Sequence, residues 1–355
     1  MKAAILNGLN DLEYADIPEP QPVGENPVLV RVGAVGVCGS DVLRYGHGKA
    51  YHYPLVLGHE FSAIVEEAPD SPHLSAGDRA AVFPLLHRHG DPMSEIGEYA
   101  LGTGYDYFGS RRHGAMSERM WVPEQSIFRV PNDMPLTHAA MVEPAGVALH
   151  AMLKVQIPTH TTALVIGAGP IGALAAQWLR ILGCSRVLVA DIDDRKLEIM
   201  SRLGFETIDA KTGNTADLAR AATDGWGPQI AVEATGNPKA LIQAIESASV
   251  QGQVVLLGDL SGDLHLAKDA VSSLLRRELR LYGTWNAKVT PKGRSEWDMV
   301  IAHLGRDLHV DELISHVRPL DEAPAVFRRL TDRSIWYNKV LFAVAAEAQE
   351  EVRTS

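Results

Sequence analysis

Cys38, His59, Glu60 and Glu143 are the side chains in this sequence best suited to hold a reactive metal ion. A thiolate, an imidazole and one or two carboxylates make a chemically sensible zinc ligand set. Three protein ligands with an open fourth position mark a catalytic site, whereas a structural site is closed by four. Such an ion polarises a substrate oxygen and favours loss of a hydroxyl proton, after which hydride leaves more readily. Asp41 can accept the other N–H of His59 and so orient the ring. Ser40 can pass a hydroxyl proton towards solvent. His59 follows Cys38 by twenty-one residues. Adjacent His59 and Glu60 point to opposite faces of a regular strand, so both reach one ion only if the backbone bends there. Taken singly, each residue also fits a plainer role, as a buried thiol, a hydrogen-bonded histidine or a surface acid.

A second chemistry is written in Gly167-Ala168-Gly169-Pro170-Ile171-Gly172, a G-x-G-x-x-G run. It follows an apolar segment and opens a helical one, and Asp191 lies nineteen residues beyond Gly172. This is the context of a dinucleotide-binding turn. Gly167 permits the tight turn, Gly169 the approach of a pyrophosphate, and Gly172 close helix–strand packing. The helix N-terminus offers unpaired N–H groups to phosphate. Asp191 can bond the ribose hydroxyls and repel a 2′-phosphate, which favours NAD over NADP. Arg195 tempers that preference, because a nearby arginine accommodates such a phosphate.

Two regions of different pattern must position these residues. The chain has 355 residues, more than one core usually organises. Residues 1–150 are rich in Gly and Pro, with short β-like runs at 28–37 and 79–83. From Thr161, apolar strands at 163–166, 187–190, 229–232, 254–257 and 279–282 alternate with helical stretches at 171–182, 195–203 and 239–247. That alternation predicts a doubly wound parallel sheet covered on both faces, an α/β fold. A closing strand at 339–342 returns to the first region, and the polar tail from Ala345 is expected to fray.

Composition narrows the function further. The formal net charge of −11 argues against nucleic-acid binding. No apolar run spans a bilayer and no signal-like segment opens the chain, so a cytoplasmic protein without membrane contact is expected. Two cysteines, Cys38 and Cys184, exclude a disulfide framework and a multi-cysteine zinc site.

These residues together resemble the zinc-containing medium-chain dehydrogenases, within them the polyol branch, over nearly the whole chain. The resemblance is carried by Cys38-Gly-Ser-Asp41 with Arg44, Leu57-Gly-His-Glu-Phe-Ser62, Tyr105-Asp-Tyr-Phe-Gly-Ser-Arg-Arg112, Glu143-Pro with Leu149-His-Ala151, Leu274-Leu-Arg-Arg-Glu-Leu279 and Gly283-Thr-Trp285. It implies a GroES-like β-rich catalytic domain made of residues 1–150 and 287–355, with a Rossmann NAD-binding domain at 151–286. It implies one catalytic zinc on Cys38, His59 and Glu143, with Glu60 a further or exchanging ligand. It also brings Glu233-Ala-Thr-Gly236, Gly258, Thr284 and Trp285 near the cofactor, and implies a homodimer or homotetramer. The chain departs from the family where relatives carry four cysteines; Arg88, Asp91, Ser94 and Gly102 stand there, so a structural zinc is expected to be absent. His87, His89 and Asp91 could replace it, or form a solvated loop.

The function implied is hydride transfer from a secondary hydroxyl of a sugar alcohol, or of its phosphate, to NAD, giving a ketose. Arg44, Tyr45, Lys49, Arg111, Arg112 and Trp285 are candidate substrate contacts, with a solvated basic patch as the plain alternative. Two or three of the cations must converge to hold a phosphate. A cyclitol, an aldonate or a natural-product alcohol would use the same chemistry, and a non-catalytic NAD-binding protein could share the fold.

Overall fold

Two hydrophobic patterns build two kinds of sheet in the computed structural model, which describes residues 1–290 and 294–354. The chain divides into two compact units. One comprises Met1–Glu143, Lys288–Gly305 and Ile314–Ser355, the other Pro144–Ala287 and Arg306–Leu313.

The first unit centres on a seven-stranded sheet. Its middle strand, Pro27–Gly36, pairs antiparallel with Glu60–Glu67, Arg119–Pro123 and Lys339–Ala343. The chain's end therefore completes the sheet begun near its start. Ile314–Pro319 runs parallel to Lys339–Ala343 at the edge. Val30, Val32, Phe61, Val65, Val82 and Phe342 pack into the core beneath. The register slips between Val32 and Val35, which bends the strand ends carrying Cys38 and Glu60.

The second unit holds a six-stranded, wholly parallel sheet. Its spatial order is Glu206–Asp209, Arg186–Asp191, Thr162–Ile166, Ile230–Glu233, Gln253–Leu256, Arg280–Gly283. In chain order that is 3-2-1-4-5-6, the doubly wound arrangement whose ligand crevice lies outside the strand C-termini. The central strands are apolar through their middles, at 163–166, 230–232 and 254–256, because helices cover both faces. Asp193, Asn214 and Asn237 cap the helices that follow Asp191, Gly213 and Gly236.

Three features depart from the sequence pattern. Glu206–Asp209 is a strand no alternation announced, since it is a short polar edge. Residues 306–313 pack with the second unit, where Gln177 bonds both the N–H and the C=O of His309 at 2.7 and 2.9 Å. The expected fraying of the tail is corrected: Ala346–Thr354 is a helix. Arg31 forms a fork with Glu347 at 2.6 and 2.9 Å, and Glu351 accepts from Arg79 at 2.6 Å and from the Leu136 N–H at 2.8 Å. Composition alone conceals these partners, because they lie more than two hundred residues away in the chain.

Candidate active site

Cys38, His59 and Glu60 converge in the first unit, their ligating atoms all within 4.8 Å of one another. Cys38 sits at the N-terminus of helix Gly39–Gly46. Gly58 turns the backbone at φ +92°, and regular strand begins only at Glu60. This supplies the bend that lets two adjacent side chains face one point. A Cβ at Gly58 would meet Val35 Cγ2 at 2.7 Å, so the turn requires glycine.

The surroundings of this cluster are charged and buried. Asp41 Oδ1 lies 3.5 Å from His59 Nδ1, at the long limit for a hydrogen bond, and Asp41 Oδ2 accepts the Cys38 N–H at 3.1 Å. Burial opposes the charge on His59, but the Asp41 carboxylate and the Cys38 side chain raise its pKa well above the ordinary histidine value. Metal ligation requires the neutral ring, so binding an ion releases that proton. Burial and then the charge of Glu60 push the Glu143 carboxyl up to about 7, although His59, Lys339 and the Tyr107 hydroxyl, which donates to Glu143 Oε1 at 3.1 Å, pull the other way. A buried carboxyl raised by a neighbouring carboxylate is relieved by a cation beside it. Thiolate, imidazole and carboxylate at this spacing therefore fit a zinc ion. Glu143 lies outside the tight three-residue cluster and faces it from the start of helix Val142–Met152.

Lys339 is the site residue that sequence reasoning missed. Its ammonium is 3% exposed, bonds Glu60 Oε2 and donates to the Val37 C=O at 3.1 Å. Burial works against its charge, yet Glu60, then Cys38 and Glu143, hold its pKa above the usual lysine value. A Cβ at Gly36 would strike Glu60 Oε2 and crowd Lys339 Cε at 3.1 Å, so Gly36 keeps room for the pair. The available signal was a lysine opening an otherwise apolar strand.

Several expected substrate contacts are placed differently. Tyr45 is buried and packs with its ring tilted against Phe327, centroids 5.5 Å apart, so it belongs to the core. Arg44 bonds Ser40 Oγ at 2.8 Å and Asp41 Oδ1 at 3.2 Å, facing inward. Arg112 lies 3.4 Å from Asp106. Arg111 donates to the Tyr105 C=O at 2.6 Å, with its guanidinium over the rings of Tyr105 and Tyr51 at 4.4 and 5.4 Å. Lys49 is exposed. The basic residues thus do not converge on one anion.

The lobe that lacks cysteines is tied by hydrogen bonds. Asp91 accepts from the N–H groups of Met93, Ser94 and Thr103 at 3.0, 3.2 and 3.0 Å, and from Thr103 Oγ1 at 2.8 Å. Those donors fill its carboxylate. His87 stacks on Tyr99 at 4.4 Å, and His89 is exposed. Among the described residues only Cys38, His59 and Glu60 form a metal-ready cluster, so the alternative site at His87, His89 and Asp91 has no support in the geometry.

In the second unit, Gly167 turns at φ +106°, and a Cβ on Gly172 would lie 1.8 Å from the Gly167 C=O. Gly169 faces open space, as a cradle for pyrophosphate requires, and helix Pro170–Ile181 begins there with no side chain capping its N–H groups. Ile171 occupies the first turn of that helix. Asp191 spans the turn: Oδ2 accepts the Ala168 N–H at 2.6 Å and Oδ1 the Asp193 N–H at 2.9 Å. Arg195 is exposed in the first turn of the next helix. Glu233 is buried and accepts the Thr235 and Gly236 N–H groups at 2.6 and 3.0 Å. Gly258 packs against Gly236, where a Cβ would sit 2.2 Å from its N. The Thr284 hydroxyl is buried without a partner, and Trp285 is 54% exposed. These residues fit a dinucleotide.

Comparison with known proteins agrees with this geometry. Residues 24–132 match the alcohol dehydrogenase GroES-like domain, and residues 170–306 match the zinc-binding dehydrogenase domain. Galactitol 1-phosphate 5-dehydrogenase of Escherichia coli K12 is 32% identical over 319 residues, covering 89% of this chain and 92% of that protein. The chain belongs to the zinc-binding alcohol dehydrogenases. Human sorbitol dehydrogenase is 27% identical over 91% of this dehydrogenase and 90% of its own length. The crystal structure of the E. coli galactitol-1-phosphate dehydrogenase superposes with a TM-score of 0.90 at 30% identity, covering 97% of this chain and all of that one. A Sinorhizobium meliloti protein crystallised with NADP aligns at TM-score 0.87 and 28% identity, over 96% and 98% of the two chains. The dehydrogenase is thus an enzyme of the mixed GroES-like and Rossmann architecture.

Proposed function

We propose that this dehydrogenase oxidises a secondary hydroxyl of a sugar alcohol to the ketose, passing the hydride to NAD. The observation that carries the reading is the Cys38–His59–Glu60 cluster in a chain that also holds a complete Gly167–Gly172 turn. Cys38, His59 and Glu143 would hold zinc, with Glu60 as an exchanging ligand that Lys339 balances. When bound, the ion supplies polarisation of the substrate hydroxyl and favours release of its proton. Asp41 orients His59, and Ser40 accepts the substrate proton while its own passes to water. Asp191, already aimed into the glycine turn, supports NAD over NADP by offering oxygens to ribose hydroxyls and repelling a 2′-phosphate.

Polyols and polyol phosphates are the substrates named by the relatives. Arg44, Arg111 and Arg112 are occupied by protein partners, which favours the unphosphorylated class. A homodimer or homotetramer is supported by edge strand Arg280–Gly283, beside which Leu275 is 76% exposed and Leu281 and Trp285 are also uncovered. A cytoplasmic setting belongs to the same proposal and rests on the composition of the chain. No helix among the described residues is long and apolar enough to cross a membrane.

The test is NADH formation by zinc-loaded protein across matched hexitols, pentitols and their phosphates. Turnover of free polyols supports the reading. Turnover confined to phosphates overturns the preference for neutral substrates. Silence across the panel, with oxidation of a cyclitol, an aldonate or another alcohol instead, overturns the polyol assignment.

A further inference from the structure

Arg44 occupies a position its chemistry alone would not suggest. It follows Ser40 by four residues and Asp41 by three on helix Gly39–Gly46, so all three side chains share one face. Its Nη1 donates to Ser40 Oγ at 2.8 Å and to Asp41 Oδ1 at 3.2 Å. The side chain is only 13% exposed, and its Nε is buried without a partner. An arginine that anchors a ligand anion must turn its fork outward. Here Nη1 is committed to two groups of its own helix.

Those two groups both belong to the chemistry. Asp41 is completely buried, with one oxygen 3.5 Å from His59 Nδ1 and the other on the Cys38 N–H. It braces two expected metal ligands at once. A buried carboxylate keeps its place only with a compensating charge and filled lone pairs. Arg44 supplies the charge and one hydrogen bond, on the same Oδ1 that lies beside His59. Ser40 carries one O–H donor and two lone pairs, and its hydroxyl otherwise rotates freely. Arg44 can only donate, so it takes one lone pair. The other is left to receive the substrate's proton, and the Ser40 O–H must point away from the guanidinium. As the substrate O–H proton moves onto Ser40 Oγ, the Ser40 proton moves to water, and the serine ends unchanged. The adjacent cation stabilises negative charge on that oxygen while its proton departs.

We propose that Arg44 is a positioning residue of the dehydrogenase reaction, holding the Ser40 hydroxyl in its proton-accepting orientation and pinning Asp41 behind His59 and Cys38. This rests on the reading that Ser40 takes the substrate's hydroxyl proton. It replaces the expectation that Arg44 binds a substrate phosphate.

The test compares wild-type, Arg44→Met, Arg44→Lys, Ser40→Ala and the Ser40→Ala/Arg44→Met double variant, each loaded with zinc. Each is assayed on the best polyol of the substrate panel and on its phosphate. Arg44→Met is expected to lower kcat about 100-fold, as when a catalytic group is slightly misplaced, with KM little changed. The loss should be equal for free and phosphorylated substrate. Arg44→Lys, which keeps a charge but not the fork, should recover part of it. The double variant should lose less than the product of the two single losses, because part of the Arg44 effect passes through the Ser40 hydroxyl and only the remainder through Asp41. The visible spectrum of the cobalt(II)-substituted protein should shift in Arg44→Met, reporting a disturbed His59 independently of turnover. A raised KM for the phosphate alone, with kcat kept, would overturn the proposal in favour of an anion anchor. Additive losses, or a kcat and cobalt spectrum unaltered in both Arg44 variants, would also overturn it. Should Arg44→Met not fold, an Arg44→Lys enzyme with wild-type kcat and spectrum overturns it equally. Full activity in Ser40→Ala would instead refute the underlying relay, which separates the two failures.

Discussion

The metal-ready cluster and the glycine turn are built in opposite ways. The cluster is made of the side chains of Cys38, His59 and Glu60, with the buried charged groups of Glu143 and Lys339 beside it. The turn is made of backbone within residues 167–172, braced by one carboxylate, Asp191. A site of side chains can be dismantled one ligand at a time. A site of backbone is altered by adding atoms or removing its brace. The contrast explains why buried ionisable groups crowd the first site, whereas missing side chains define the second.

The two sites should therefore fail separately. Cys38→Ala or His59→Ala is expected to remove turnover by about 1,000-fold or more, since several kcal/mol of transition-state charge stabilisation depend on the ion. NADH binding, followed by fluorescence titration, should persist; loss of binding would mean the sites are not independent. Lys339→Met strands the buried Glu60 carboxylate and should destabilise the fold by about 3–5 kcal/mol in urea unfolding of metal-free protein. An unchanged midpoint would mean that the pair does not hold that end of the sheet. Asp191→Ala should raise the NAD Kd by about tenfold to a hundredfold while zinc content by mass spectrometry stays at wild type, because a charge-assisted hydrogen bond contributes about 1.5–3 kcal/mol.

The smallest effect serves as a control away from both sites. The Arg31 fork, opposed by slight burial, lowers the Glu347 carboxyl from 4.5 to about 2. A pKa lowered by folding contributes stability above the unfolded value and loses it as pH falls through the folded one. The pair is partly exposed, so its contribution is less than about 1 kcal/mol. Glu347→Gln should lower the urea midpoint slightly at pH 6, and the difference from wild type should shrink between about pH 4.5 and 2. A constant difference across that range would remove the ion pair as its cause.

The legibility of the two sites follows from the same contrast. The strand–turn–helix around Gly167 is readable directly, because its parts are neighbours in the chain and glycine has few other reasons to recur at that spacing. Cys38, His59 and Glu60 can be proposed from residue type. Tyr107 stands within the Tyr105–Arg112 motif, but its spacing does not reveal that it serves Glu143. Lys339 escapes notice, since its partner lies 279 residues away. Arg44 and Tyr45 mislead for a related reason: a basic or aromatic residue beside a reactive cysteine looks available for ligand until its inward partners are seen. The tail looks frayed because Glu347 and Glu351 show no sign, in sequence, of Arg31 and Arg79.

By itself the sequence determined the α/β alternation, the glycine turn, the donor types of the metal cluster and the loss of cysteines from the lobe. Each depends on local spacing or on the intrinsic chemistry of a side chain. Only the tertiary structure decided that Lys339 answers Glu60, that Asp91 ties the lobe through four hydrogen bonds, and that Arg44 turns inward to Ser40 and Asp41. A charge or a hydrogen-bond donor has no fixed role until folding removes water and leaves it one partner.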